Sequence, residues 1–275
     1  MAGDIAIAQA PQPGLQLANT IWIQSGNVGA AVLQGLVDLN LHTTTVLDVV
    51  AGAYTFETDF TRGTYTIAAA VPFGHAALDA TIVGPVRSFR ASEDSFHLSD
   101  IVLIPAQLNW GVADFSFKLS QAVIAPTGGY DLDEVVNLGR NYWSFDSVGA
   151  ATWLSSKTGT EISVAPGIMF NTRNQDTDYE TGTEFHLDFT VNQFLSETFA
   201  LGLRGYYYRQ ITGDSGSGAR LGDFESRSVG IGPGLFWRPK EAGGRLVFLA
   251  KWIHDLSAKY RFESDYVTLG VAWKF

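Results

Sequence analysis

The last nine residues of the chain, Val267-Thr-Leu-Gly-Val-Ala-Trp-Lys-Phe275, carry apolar side chains at 267, 269, 271, 273 and 275, with small or polar ones between. Successive side chains of a strand point to opposite faces, so one face of this segment is wholly apolar. A strand with one side in lipid needs that pattern, and the aromatic end points to an outer-membrane barrel. As the edge of a soluble sheet the same face would be a liability. An ordinary amphipathic terminal strand is the alternative, and the rest of the chain weighs against it.

No segment approaches the roughly 18 unbroken apolar residues of a membrane helix, which excludes a helical membrane protein. The absence of cysteine removes disulfides, thiol nucleophiles and thiolate metal sites together. A net charge of -10, with 18 basic residues scattered singly along the chain, argues against a nucleic-acid partner, which needs clustered Lys and Arg. The start, Met1 to Ala10, lacks a basic region followed by an apolar run, the pattern of a processed or re-engineered N-terminus of an exported protein.

Period-2 segments bounded by Gly, Asn, Asp and Pro predict about twelve strands, near 14–25, 35–58, 64–83, 98–110, 112–125, 142–156, 159–172, 183–194, 198–212, 224–237, 244–254 and 265–275. The connections around 26–34, 84–97, 126–141, 173–182, 213–223 and 255–264 are long and polar, and those between them are shorter. Outer-membrane barrels have long loops outside and short turns inside. The fold expected is therefore all-β: a transmembrane antiparallel up-and-down barrel forming one domain over 1–275, with 1–13 as a periplasmic segment.

Aromatic residues fall at both strand ends, where amphipathic rings favour the headgroup level: Trp110, Trp237, Trp273 and Phe275 at one, Tyr142, Trp143, Tyr206, Tyr207, Tyr208 and Trp252 toward the other. Phe185, Leu187 and Phe189 alternate with Glu184, His186 and Asp188, which should face the lumen. In Ile101–Leu108 and Leu246–Ile253 both parities carry large aliphatics, so part of the lumen should be apolar. That suits a packed, closed barrel or a passage for hydrophobic molecules better than a wide hydrated pore.

Charges in such an interior must be paired or solvated, so Glu184, His186, Asp188 and Glu161 are expected to meet Lys118, Arg204 and Lys251 across the lumen, as a stabilising network or a constriction. Arg140, beside Asn141, Tyr142 and Trp143, would brace an outer loop or offer a cation-π platform at the entrance. His186 and Asp188 do not make a metal site, since none of the five histidines belongs to a close ligand cluster. No metal or other cofactor is implied.

Several stretches carry a family resemblance: Ala125-Pro-Thr-Gly-Gly-Tyr-Asp131, Asn137-Leu-Gly-Arg-Asn-Tyr-Trp143, Thr177-Asp-Tyr179 with Gly182-Thr-Glu-Phe-His-Leu-Asp188, and Gln210-Ile-Thr-Gly-Asp-Ser-Gly216 with Gly218. In this order, over roughly 100–236, the chain resembles the outer-membrane channels grouped with proteins of the phenol meta-cleavage pathway, the MetA-like proteins. The first 90 residues match only loosely. The resemblance implies a twelve-stranded barrel of a Gram-negative outer membrane that takes up small hydrophobic compounds, and it adds Asp178, Tyr179 and Asp214 to the entrance candidates. The turn-forming composition of 126–129 and 212–216 also explains those motifs by loop geometry alone.

The rival from another class is an enzyme, an outer-membrane phospholipase-type barrel with His, Ser and Asn on its wall. The sequence offers only His97-Leu-Ser99 for that role, in a polar stretch entering a strand. A general small-solute porin would want fewer inward aliphatics. The expectation is a channel without bond chemistry. Its partners would be outer-membrane lipid and lipopolysaccharide, small hydrophobic molecules, and the barrel-assembly machinery that reads Val267, Leu269, Val271, Trp273 and Phe275.

Overall fold

The computed structural model describes residues 6–32, 37–58, 63–83, 88–220 and 222–275. They form β1 (Gly14–Val32), β2 (Val37–Thr58), β3 (Gly63–Val83), β4 (Ser88–Leu98), β5 (Ile101–Val112), β6 (Phe115–Ala125), β7 (Ser144–Leu154), β8 (Thr160–Asn171), β9 (Glu184–Ser196), β10 (Phe199–Gln210), β11 (Arg227–Trp237), β12 (Leu246–Lys259) and β13 (Glu263–Lys274). Each strand pairs antiparallel with its neighbour, and β1 pairs with β13 from Gln16↔Lys274 to Asn27↔Glu263, which closes the sheet.

The ring has twelve positions although thirteen strands are described, because β4 and β5 share one. β3 pairs with β4 through Phe73–Val83 and with β5 through Thr64–Ala70. Between them Ser99 and Asp100 interrupt the strand, although the Ser99 amide still donates to the Pro72 carbonyl of β3 at 2.8 Å. The Asp100 carboxylate accepts the amides of Gly128 (2.9 Å) and Arg140 (2.8 Å), so the break docks the loop 126–143.

Leu203 and Arg204 show why the chain closes this way: the leucine is 51% exposed and the arginine beside it 1%. The same inversion runs along every strand from β7 to β11. Ile162, Val164 and Ile168 face out while Glu161, Ser163 and Ala165 face in. Apolar outside and polar inside is the reverse of a soluble sheet and the pattern of a lipid-embedded one. Rings mark both edges of the outer face, with Trp237 on Phe248 at 5.3 Å and Trp110 on Phe117 at 5.7 Å near one end, and Tyr207 near Phe185 at 6.3 Å toward the other.

Three of the expected loops are shorter than the sequence suggested. β1 continues to Val32, β4 occupies most of the expected loop 84–97, and only Tyr260–Phe262 separates β12 from β13. Beyond the bilayer both faces of a strand meet water, so the apolar alternation disappears while backbone pairing continues. The connections at 33–36, 59–62 and 84–87 lie outside the described residues.

Candidate functional site in the barrel lumen

The lumen has two unlike halves, set by register. On β12, β2 and β5 the inward positions include Val247, Leu249, Ile253, Leu47, Val49, Val102 and Ile104, beside alanines of β3 at 68 and 70, interrupted by Lys251 and Asp255 of β12 and Asn109 of β5. On β7 to β11 they are Asp146, Thr152, Glu161, Ser163, Glu184, His186, Asp188, Thr190, Asn192, Arg204, Tyr206 and Tyr208. The aliphatics that broke the alternation in two strands therefore point inward in part, as expected. Rings link the halves: Trp22 of β1 lies 6.0 Å from Tyr266 of β13, and Tyr206 of β10 meets Tyr266 edge-on at 6.1 Å.

Large side chains of β10 can cross β11 because three successive inward positions, 230, 232 and 234, are glycines. A Cβ on Gly234 would stand 1.9 Å from Arg204 Nη1, and one on Gly230 would stand 2.6 Å from the Tyr206 ring. Arg204 is thus laid flat within the wall. Tyr206 donates to Asp255, which also accepts the Ser264 amide at 3.1 Å.

At the periplasmic end the interior is filled. Residues 6–9 enter the barrel and run along the charged half: the amide of Ala6 donates to Glu161 Oε1 (3.2 Å), that of Ile7 to Ser163 Oγ (3.3 Å) and that of Ala8 to Thr152 Oγ1 (3.0 Å). From β5, Asn109 Nδ2 donates to the carbonyl of Ala8 at 3.1 Å. Ala8 is fully buried against Ala150 and Ala165, with Ile7 and Val148 alongside. Glu161, itself fully buried, also accepts from Ser163, Thr190 and Asn192, which supplies the hydrogen bonds a buried carboxylate requires.

Midway, His186 Nε2 lies 3.0 Å from Asp146 Oδ1 and its Nδ1 lies 3.6 Å from Asp188 Oδ2. Glu184 accepts from Tyr208 and from Asn171 (3.4 Å). Of the cations expected here, Arg204 stands opposite Thr190 and Gly232 with its guanidinium over Gly234, Lys118 is inward between Asn109 and Ala150 of the neighbouring strands, and Lys251 is inward between Gly234 and Thr268. Among the described residues no group of three His, Asp or Glu side chains has a geometry that could hold a metal ion.

The outer mouth carries loops braced against one another. Arg140 keeps access to water although it is deep in the mouth; burial opposes its charge, but Tyr142, Glu184 and Asp100 hold its pKa above the ordinary value. Asn141 takes a positive φ of 60° and donates to Asn174 (3.2 Å) and Asp176 (2.7 Å), while Tyr142 Oη meets Thr181 Oγ1 at 3.3 Å. Trp143 is 45% exposed and faces outward. A cation-π contact at this mouth places Arg261 over Tyr208, at 4.3 Å. Asp178 binds the Ser217 amide (2.9 Å) and Arg173 (2.8 Å), which holds its carboxyl below the usual range. Tyr179 donates to Asp214, and burial together with that carboxylate pushes its phenol up.

Sequence reading missed Asp146, Asp255, Asn109 and Arg261, as well as the segment at Ala8. Asp146 alternates with Ser144 and Val148 and could have been found by parity. The others signal nothing until the strands are in register.

The wall is not uniform. Around Pro105 the register shifts against β3, between Thr66 and Ala68, and against β6, between Leu103 and Ala106. Tyr65 Oη donates to the Pro105 carbonyl at 2.6 Å. Beside it an open cavity of about 360 Å³ is lined mostly from the outer face, by Ala106, Leu108, Leu119 and Gly149 among others, and by Ser120 and Val148 from the inner. Ser147 donates to Gln121 at 2.6 Å, a polar pair on the outer face of the same place.

A closed antiparallel ring, apolar outside, with braced loops at one end and short turns at the other, is an outer-membrane β-barrel of the Gram-negative type. A family model described as "Putative MetA-pathway of phenol degradation" matches residues 24–270, and the chain belongs to that family. Among solved structures, an outer membrane channel from Pseudomonas putida F1 is similar with a TM-score of 0.79 at 14% identity, covering 99% of this chain and 100% of that one. A FadL homologue from Pseudomonas aeruginosa aligns at a TM-score of 0.45 and 7% identity, covering 95% of this chain and 90% of that one. The translocator domain of the autotransporter NalP from Neisseria meningitidis aligns at 0.48 and 12%, covering 98% and 91%. No curated protein matches the chain by sequence.

Proposed function

We propose that this barrel is a channel for passive uptake of small hydrophobic, aromatic-sized molecules across the outer membrane. The observation that carries the reading is the divided lumen: an aliphatic-rich part along β12, β2 and β5, interrupted by Lys251 and Asp255, and a hydrogen-bonded, charged part along β7 to β11. An apolar solute loses little on leaving water for the first part. Ions and sugars find the carboxylates Glu161, Glu184 and Asp255 of the polar part already paired within the protein, with residues 6–9 occupying the periplasmic end. The outer loops around 126–141 and 173–182 collect the solute, with Arg140, Asn141, Tyr142, Asp178, Tyr179 and Asp214 shaping that entrance. The double register break at Pro105 and its cavity support an exit through the wall rather than past the N-terminal segment.

The protein does no bond chemistry. Ser99 Oγ donates to the Leu138 carbonyl at 2.8 Å, and His97 turns to Glu134 at 3.9 Å, so the one His-x-Ser pair is engaged with loop 126–143. Assembly into the membrane would use the C-terminal strand, whose odd residues from Val267 to Phe275 face outward.

The test is uptake of a labelled monoaromatic hydrocarbon by cells carrying the protein against cells with empty vector, with released fatty acid measured in the same membranes. Faster uptake without lipid breakdown is expected. Fatty-acid release without uptake would replace the channel by an enzyme.

A further inference from the structure

The basic residues are scattered singly in sequence, but the register gathers three of them. Arg209 of β10 stands directly opposite Arg227 of β11, and Arg227 directly opposite Lys259 of β12. All three are exposed on the outward face at the outer ends of adjacent strands. Neighbouring strands lie about 4.8 Å apart, and like charges directly opposite each other destabilise a sheet unless something neutralises them. Among the described residues none of the three makes an ion pair, in a chain whose net charge is -10.

Their height is informative. On the outward face of β11 the run from the ring of Trp237 up to Arg227 passes Leu235, Pro233, Ile231 and Val229 and meets no charge. Ten residues at about 3.3 Å rise, tilted about 40°, span about 25 Å, the height of the apolar band of such barrels. The cation row therefore begins where the acyl chains of the outer leaflet end.

The row also borders an open pocket. Arg209, Arg227 and Lys259 line a space of about 480 Å³ whose other side carries Phe224 and Tyr260. Those two rings lie 5.0 Å apart and remain 39% and 50% exposed, and Lys259 Nζ is 4.7 Å from the Tyr260 ring. Asp223 and Glu225 on the same rim offset part of the charge, leaving one net positive. Cations with an exposed aromatic face recognise a phosphorylated sugar, since the charge holds phosphate and the ring covers the apolar face of the pyranose.

We propose that Arg209, Arg227 and Lys259, with Phe224 and Tyr260, form a binding site for the phosphorylated glucosamine headgroup of an outer-leaflet glycolipid. The site rests on the outer-membrane location of the barrel and is independent of what the lumen conducts. It would fix the outer ends of β10 to β12, the strands that carry Tyr206, Tyr208 and Asp255 into the lumen.

Native mass spectrometry of the detergent-solubilised barrel tests it, with diphosphoryl lipid A as the probe against dephosphorylated lipid A, phosphatidylglycerol and inorganic phosphate. The variants are R209S/R227S/K259S and, because the triple change could impair folding, the single R227E, each checked for heat-modifiable gel mobility. Wild-type protein should retain one diphosphoryl lipid A at a concentration where either folded variant retains at least tenfold less. Dephosphorylated lipid A should behave as the variants do. Equal retention by wild type and variants overturns the site, and so does equal retention of phosphatidylglycerol and lipid A. Displacement by equimolar inorganic phosphate would show a bare anion site and overturn the glycolipid assignment.

Discussion

Asn109 on β5 donates its side-chain amide to the carbonyl of Ala8 at 3.1 Å, tying the start of the described chain to a wall strand a hundred residues away. Both residues are fully buried, so the contact is made in the interior of the barrel and closes its periplasmic end.

Removing residues 1–10 should open that end. In planar bilayers the truncated barrel is expected to conduct ions several-fold better than the full chain, which should remain nearly closed. Asn109→Ala is milder and should cost about 1–2 kcal/mol by leaving a buried carbonyl without its donor, measured by urea unfolding in vesicles.

Gly234 is the position on β11 that allows Arg204 to lie across it. Gly234→Val drives a side chain into the guanidinium, and overpacking of this kind costs about 1–3 kcal/mol. The temperature at which the folded band is lost on a gel should fall, whereas Gly149→Ala, whose added carbon meets its nearest neighbour at 3.7 Å, should leave it unchanged.

At the same Gly149 a large ring would instead fill the cavity beside Pro105. Gly149→Trp should lower uptake of an apolar solute at least fivefold while surface abundance and gel mobility stay as in wild type. Undiminished uptake would remove the wall as the exit.

The clamp between the outer loops should show a defined pH dependence. Asp178 has its carboxyl held below the usual value by the hydroxyl and amide of Ser217 and by Arg173. A lowered folded-state pKa contributes stability that is present above the unfolded value, about 3.9, and lost as pH falls through the folded one. Hydrogen exchange at the Ser217 amide should therefore show constant protection between pH 8 and pH 5, after correction for intrinsic rates, and loss only in stronger acid. Asp178→Asn should weaken that protection throughout the range.

How much of this was legible in the sequence depended on lipid. Where a strand crosses the bilayer, alternation exposed it, as at Val267–Phe275 and at Glu184–Asp188. β4 was hidden because Ser88–Leu98 stands where both faces can be polar, and only its pairing to Phe73–Val83 makes it a strand. The segment at Ala6–Gln9 gave no signal because much of its hold comes from backbone amides, which every sequence possesses. Arg209, Arg227 and Lys259 looked like isolated charges because register, not spacing, makes them neighbours. Tyr206, Tyr207 and Tyr208 read as one aromatic cluster, whereas the pleat sends the first and third inward and the second to the membrane.

Selective entry of apolar solutes is tested most directly by measuring initial uptake rates of labelled toluene and labelled glycerol side by side, in porin-depleted cells with and without the protein. Toluene uptake should rise several-fold while glycerol uptake stays at the background rate. An equal rise for both would mean a water-filled pore, and no rise for toluene would mean that the divided lumen does not conduct hydrophobic molecules.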